Sequence, residues 1–114
     1  MSDELLPIRA RCADNCIGMD VPTGWMPLML ELDAALAEVA PALRYIQIKQ
    51  KFAELRVYVT ATTDDRVHDL IHDAERRSRT ICEECGSVGK SRRRAQSGWY
   101  RALCDDHSEG YVDA

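Results

Sequence analysis

The sequence predicts a small α+β fold, a helix–β-hairpin–helix body followed by a treble-clef or zinc-ribbon-like zinc module. Three observations carry that expectation. Apolar residues from Leu28 to Val39 recur at helical spacing, two runs between residues 43 and 61 alternate in polarity, and two pairs of potential metal ligands are separated by 18 residues near the carboxy terminus. A length of 114 residues fits one domain. A chain of this size buries only about two-thirds of its unfolded surface, so a stapling ion is an expected aid to stability.

Residues 1–22 show no clear periodicity, and "CADNCIGMDVPTG" reads as loop because Asn, Gly, Asp and Pro favour turns. Thr23 is a candidate N-cap, with Pro27 in the first turn of a helix whose stripe is Leu28, Leu32, Ala35, Leu36 and Val39. Pro41 ends that helix. "LRYIQIKQKF" then alternates, with Ile46 and Ile48 opposite Gln47 and Lys49. "AELRVYVTA" alternates again, with Leu55, Val57 and Val59 opposite Arg56 and Tyr58. Such a pair of runs predicts a β-hairpin. Val67, Leu70, Ile71 and Ala74 make the stripe of a second helix, with acids in its first turn and arginines in its last, as the helix dipole favours. The expected organisation is an N-terminal loop over residues 1–22, an α-β-β-α body over 23–79, and a zinc module over 80–114 packed on that body.

Cys82-Glu-Glu-Cys85-Gly86 and Cys104-Asp-Asp-His107 are two ligand pairs at the same offset. Two thiolates so spaced can hold one ion from a single tight turn, and the glycine lets backbone amides fold toward the sulfurs. The 18 intervening residues suffice for a hairpin with strands near 88–94 and 99–103, turning at Ser97-Gly98. Three sulfurs and an imidazole make a closed set suited to one structural Zn²⁺. Asp105, Asp106 and Glu109 suit the first turn of a final helix. The competing readings, buried thiols without metal or a Cys–His nucleophile, leave the paired spacing unexplained.

Cys12 and Cys16 form a C-x₃-C in the N-terminal loop. Free thiols are the simple reading; a second metal would need His68 and His72, which nothing in the sequence brings near. His68-Asp-Leu-Ile-His72 imitates the H-E-x-x-H of zinc proteases, but Asp69 stands where the catalytic glutamate belongs and no third ligand follows. A solvated helix flank accounts for both histidines.

Charge is distributed unevenly. Residues 1–75 carry a balance of −6, residues 76–101 of +6, and residues 102–114 of −4. An anionic partner would land near the cysteine segment, where Lys90, Arg92, Arg93, Arg94 and Arg101 interleave with Trp99 and Tyr100. Arginines pair with phosphates and aromatics stack on bases, so nucleic acid is one candidate. Arg, Trp and Tyr are also the usual anchors of protein interfaces, so a protein partner is the other.

"GWMPLMLELDAAL", "QIKQKFAELRVYV" and "CEECGSVGK…WYRALCDDH" together resemble a family of small, mostly uncharacterised bacterial and phage proteins. Those proteins read G-W-x-P-L, then V-K-E-K-F-G-G-L-R-F-Y-V, then C-x-x-C-G-x-x-G and W-x-x-T-L-C-x-x-H/C. The resemblance spans residues 24–107 and places Cys82, Cys85, Cys104 and His107 on the family's presumed zinc ligands. Lys49, Lys51, Phe52, Leu55, Arg56 and Tyr58 fall on its hairpin motif. Ala53-Glu54 stands where the family has Gly-Gly, which removes the residues best suited to a tight turn and predicts a longer or differently shaped connection.

An enzyme is the least expected class, since the chain has no phosphate-binding glycine loop, no nucleophile elbow and no open metal position. The expectation is a zinc-stabilised binding protein, phage or mobile-element encoded, that docks on a protein partner through Lys90, Arg92, Arg93, Arg94, Trp99 and Arg101. The size and the resemblance together imply an inhibitor of host or defence machinery, anti-CRISPR-like in manner; a nucleic-acid-binding regulator using the same basic hairpin is the alternative. No small-molecule substrate is expected. "MSDELLPIRA" is acidic and lacks the apolar run of a secretory signal, and no stretch approaches the roughly 18 apolar residues of a membrane span. A cytoplasmic location is the expectation, and there cysteines serve as thiols or ligands rather than disulfides.

Overall fold

Apolar side chains from both helices and the hairpin converge on one core. Trp25, Met29, Leu36, Ile48, Leu55 and Val67 are each fully buried in it. The computed structural model describes residues 5–114. Its α+β architecture runs α1 (Leu6–Arg9), β1 (Gly18–Met19), a 3₁₀ turn (Thr23–Trp25), α2 (Met26–Val39), β2 (Tyr45–Lys51), β3 (Glu54–Val59), α3 (Asp65–Ser78), β4 (Lys90–Arg94), β5 (Tyr100–Leu103), a 3₁₀ turn (Asp105–His107) and β6 (Tyr111–Asp113). Two three-stranded sheets result, ordered β1-β2-β3 and β5-β4-β6. The helices α2 and α3 pack on each other, and α3 also packs on β3.

Between residues 5 and 22 the chain is more structured than a loop. One helical turn, α1, buries Ile8, and β1 pairs in parallel with β2 through Gly18–Gln47 and Met19–Ile48. Neither element is long enough to carry a periodic signal, and β1 exists only because β2 offers it an edge. Thr23 does not cap α2; it opens a 3₁₀ turn, and the residue before α2 is Trp25, without a side-chain cap. The helix ends at Val39, ahead of Pro41.

The hairpin forms with one correction to its pattern. A bulge between Tyr45 and Gln47 takes Ile46 out of the alternation, so Tyr45 and Ile48 are the buried residues of β2. The Tyr45 hydroxyl donates to Asp33 at 2.6 Å, and burial together with that carboxylate pushes the phenol far above its ordinary range. The turn is also tighter than expected. Lys51 pairs directly with Glu54, leaving a two-residue connection in which Phe52 (φ 52°) and Ala53 (φ 65°) both adopt the left-handed conformation. Those dihedrals match the right-handed twist of the strands, which is why the type I′ geometry persists without glycine. Asp64 caps α3 by accepting from the Arg66 amide at 2.9 Å.

The carboxy-terminal segment lacks the final helix that the acids after Cys104 led one to expect. One 3₁₀ turn follows Cys104 instead of a helix, and Gly110 (φ 83°) reverses the chain into β6, which pairs antiparallel with β4. The acids at 105 and 106 do occupy the turn, but the chain leaves it after three residues. Among the described residues no helix is long and apolar enough to cross a membrane.

Candidate functional site

The turn after Ile81 brings Cys82 and Cys85 around one point, and the β4–β5 hairpin returns Cys104 and His107 to it. Four ligand atoms, one from each residue, lie within 4.8 Å of one another. Cys85 and Cys104 sulfurs are 3.7 Å apart, while His107 Nδ1 is 3.2 Å from Cys104 Sγ and 3.9 Å from Cys82 Sγ. A tetrahedral ion with metal–sulfur bonds near 2.3 Å separates its sulfurs by roughly 3.8 Å, so the cluster can hold a metal. Its closed donor set is what the sequence spacing predicts.

Two of the three thiols are shifted toward the thiolate and the third away from it. Ser87, through its hydroxyl and amide, brings the Cys85 thiol down to about 7. Burial opposes ionisation of Cys82, but the amides around residues 84, 85 and 104 outweigh it and leave the thiol below its usual value. Cys104 moves up, through burial and the two neighbouring thiols. A bound metal would reverse that opposition, with Cys82, Cys85 and Cys104 holding it as thiolates.

Gly24 explains how the body seats this knuckle. A Cβ built there would overlap the Cys82 carbonyl oxygen and stand 2.7 Å from the Gly86 amide nitrogen. The Gly24 amide donates to Glu83 O at 2.7 Å and the Trp25 indole to Ile81 O at 2.8 Å. The Gly-Trp pair is thus a socket for the metal turn. Opposite it, the buried Glu83 carboxylate accepts from the Ala102 amide at 2.6 Å, from Gln50 at 3.2 Å and from Arg101 at 3.4 Å. Sequence reading missed Glu83; its one signal is an acid inside the C-x₂-C, where solvent exposure is the ordinary assumption.

The basic residues divide into two groups. Arg92 is buried, donating to Leu103 O at 3.0 Å and pairing with Asp105 at 2.6 Å. Arg101 pairs with Glu83 and Glu84, and Lys90 with Asp113 at 2.9 Å. These three brace the sheet. Arg93 and Arg94 make no side-chain pair among the described residues, and Trp99 stands 58% exposed at the tip of the hairpin. The six residues expected to form one partner surface therefore do not share one environment.

A groove of about 270 Å³ lies between the tips of the two hairpins, walled by Phe52, Trp99 and Tyr100 and flanked by Lys49 and Lys51. Phe52 is 68% exposed and meets the Tyr100 ring edge-on, with centroids 5.9 Å apart. Lys49 and Lys51 lie over the Tyr58 and Phe52 rings. Phe52 and Lys51 came forward in the sequence only as matches to a hairpin motif, and Lys49 as such a match and as a polar position of the first strand; their meeting with Trp99 is a product of the fold. His68 and His72 stack on each other on an exposed face of α3, His68 against Thr62 O, and join no metal-binding group. Among the described residues they form no ligand cluster with Cys12 and Cys16. No family model, no curated protein and no solved structure matches the chain.

Proposed function

We propose that the chain is a zinc-stapled, non-catalytic binding protein that docks on a protein partner through the groove between its two hairpin tips. The single observation that carries this reading is the exposed Phe52–Trp99 pair, two large aromatics on separate elements facing one cavity. Exposed aromatics with adjacent cations are the usual anchors of protein interfaces. Zn²⁺ suits the Cys₃His donor set, and four protein ligands fill its tetrahedral positions, leaving none for a substrate or water. In this reading the three-stranded β5-β4-β6 sheet is a zinc-ribbon-like support that aims Trp99 at the groove. Inhibition of host or defence machinery, the role the phage resemblance implies, rests on that resemblance and on no contact in the fold.

A nucleic-acid reading draws on Lys49 and Lys51 beside the same rings, where a base could stack and a phosphate pair. The internal pairing of Lys90, Arg92 and Arg101 removes much of the phosphate-binding stripe and weighs against it. Both readings are tested with a Phe52→Ser/Trp99→Ala variant beside the unaltered protein. A bacterial protein that copurifies in stoichiometric amount with the unaltered chain and is lost with the variant is the expected result. Binding of single-stranded oligonucleotides that weakens steeply with salt would transfer the site to nucleic acid. Equal capture by both forms would refute the groove as the docking face.

A further inference from the structure

The metal cluster and the groove leave one concentration of reactive atoms unaccounted for, far from both in sequence. Cys12 Sγ lies 3.2 Å from Cys16 Sγ and 2.9 Å from the thioether sulfur of Met19. All three residues are partly buried and partly accessible. The backbone holds them together from both sides. Cys12 bridges Tyr45, the Ala13 amide donates to Tyr45 O at 2.9 Å, and the Cys16 amide closes a turn on Ala13 O at 3.0 Å. The Ile17 amide then donates to Ile46 O at 2.7 Å, and Met19 is registered against Ile48 in β1. The eight residues Cys12–Met19 are thus pinned at each end to the same central strand, and that loop gathers its three sulfurs.

We propose that Cys12, Cys16 and Met19 form a second metal site, one for a soft monovalent ion, Cu(I). Two thiolates and a thioether are the ligands that select Cu(I) over harder ions. Zinc is disfavoured because no imidazole or carboxylate joins these thiols to complete a tetrahedron; among the described residues the sole convergence of three or more His, Cys, Asp or Glu ligands is the Cys₃His cluster. Seating an ion spreads the sulfurs by roughly 1 Å, given metal–sulfur bonds near 2.3 Å. The partial exposure of the loop permits that movement. Binding releases two protons: Cu⁺ and two thiols give a dithiolate complex of charge −1 and 2 H⁺, with Met19 donating a lone pair and no change of oxidation state. Burial and the neighbouring Cys16 thiol push the Cys12 thiol above its ordinary value, against the lowering effect of Arg9, so the incoming ion has to displace that proton as it binds.

The experiment titrates Cu(I), without oxygen, into protein whose Cys₃His cluster already holds zinc, in competition with the chromophoric chelator bathocuproine disulfonate. Zinc content is measured after each addition. The expected result is one equivalent of Cu(I) bound with zinc retained, and no such binding in a Cys12→Ser/Cys16→Ser variant. Met19→Leu conserves volume and spares the fold, and it should weaken Cu(I) binding by at least about tenfold, the scale of even outer-shell changes. Copper uptake that expels zinc one for one would overturn the proposal. So would an unchanged affinity in Met19→Leu, or a Cys12–Cys16 disulfide in mass spectra of the anaerobic protein with no copper bound.

Discussion

Phe52 is held in a conformation that its residue type resists. A φ of 52° crowds the Cβ of an L-residue against the neighbouring backbone, a cost of about 1–2 kcal/mol that asparagine or glycine would largely avoid. Its ring is nevertheless 68% exposed, so core burial does not offset the strain. Strain kept at an exposed aromatic is characteristic of binding sites, where function opposes stability. Phe52→Asn should therefore raise unfolding stability by about 1 kcal/mol in urea titrations while abolishing capture of the proposed partner. Loss of both, or gain of both, would contradict the trade-off. The residue scale also separates the arginines. Arg92→Ala removes the donor to Leu103 O and a buried stem, and should cost about 1–3 kcal/mol, whereas Arg93→Ala, which breaks no pair, should stay within about 0.5 kcal/mol. Denaturant midpoints of the two single variants check this, and the difference means that replacing Arg92, Arg93 and Arg94 together would confuse loss of fold with loss of binding.

At the scale of elements, legibility followed the source of each element's stability. Both long helices and the hairpin bury a stripe in one core, so burial itself writes their period into the sequence. The strands β1 and β6 are two and three residues long and are created by the neighbours they pair with, so no local pattern announces them. Ile46 deceived because a bulge is a property of two strands, not one. The Gly-Trp turn is legible as a motif but not as a purpose, since the carbonyl that forbids a side chain at Gly24 belongs to Cys82. Gly24→Ala should push the metal turn off the body and cost about 3 kcal/mol, with a matching loss of metal affinity seen in competition with a chelator. The contact between α3 and β3 carries a pH dependence. Burial raises the Glu75 carboxyl above its usual value, against the amide of Val57, which it accepts at 3.1 Å. The folded state therefore binds the proton more tightly than the unfolded chain, and this group's contribution is full below the unfolded value and lost as pH rises through the folded one. Glu75→Gln keeps the acceptor for Val57, so it should be more stable than the parent near neutrality and equal to it at pH values below the unfolded carboxylate range. Parallel thermal melts across pH 4–7 would show the two curves converging toward acid; parallel curves would exclude Glu75 as the cause.

The whole molecule rests on two cores of very different size. The larger unites α1, the first sheet, α2 and α3; the smaller consists of Cys82, Leu103 and Cys104, with Tyr111 against it. Two of the three buried members of the second core are themselves candidate metal ligands, so without an ion that core has almost no apolar substance. The four ligands were readable in advance because fixed spacing around a tight turn is a local constraint. The groove was not, because it joins segments that only the finished fold brings together; the C-x₃-C was visible, but the place of Met19 beside it follows from the pairing of β1 with β2. What ties the small core to the large one is a handful of polar contacts, Gly24 to Glu83, Trp25 to Ile81 and Gln50 to Tyr100, with Ala102 reaching into the main core. Removing the proposed ion with a strong chelator should consequently act in two parts. The melting temperature should fall by about 10 °C or more, which at roughly 4 °C per kcal/mol corresponds to a few kcal/mol. Hydrogen exchange should show β4, β5 and β6 amides losing protection while those of β2 and β3 keep theirs, since the hairpin draws its burial from the metal-free core. Because Trp99 sits on the β4–β5 hairpin and Phe52 on the β2–β3 hairpin, the same treatment should disperse one wall of the groove and leave the other standing. Melting and exchange that ignore the chelator would mean that the Cys₃His cluster folds without an ion, and that the groove owes nothing to it.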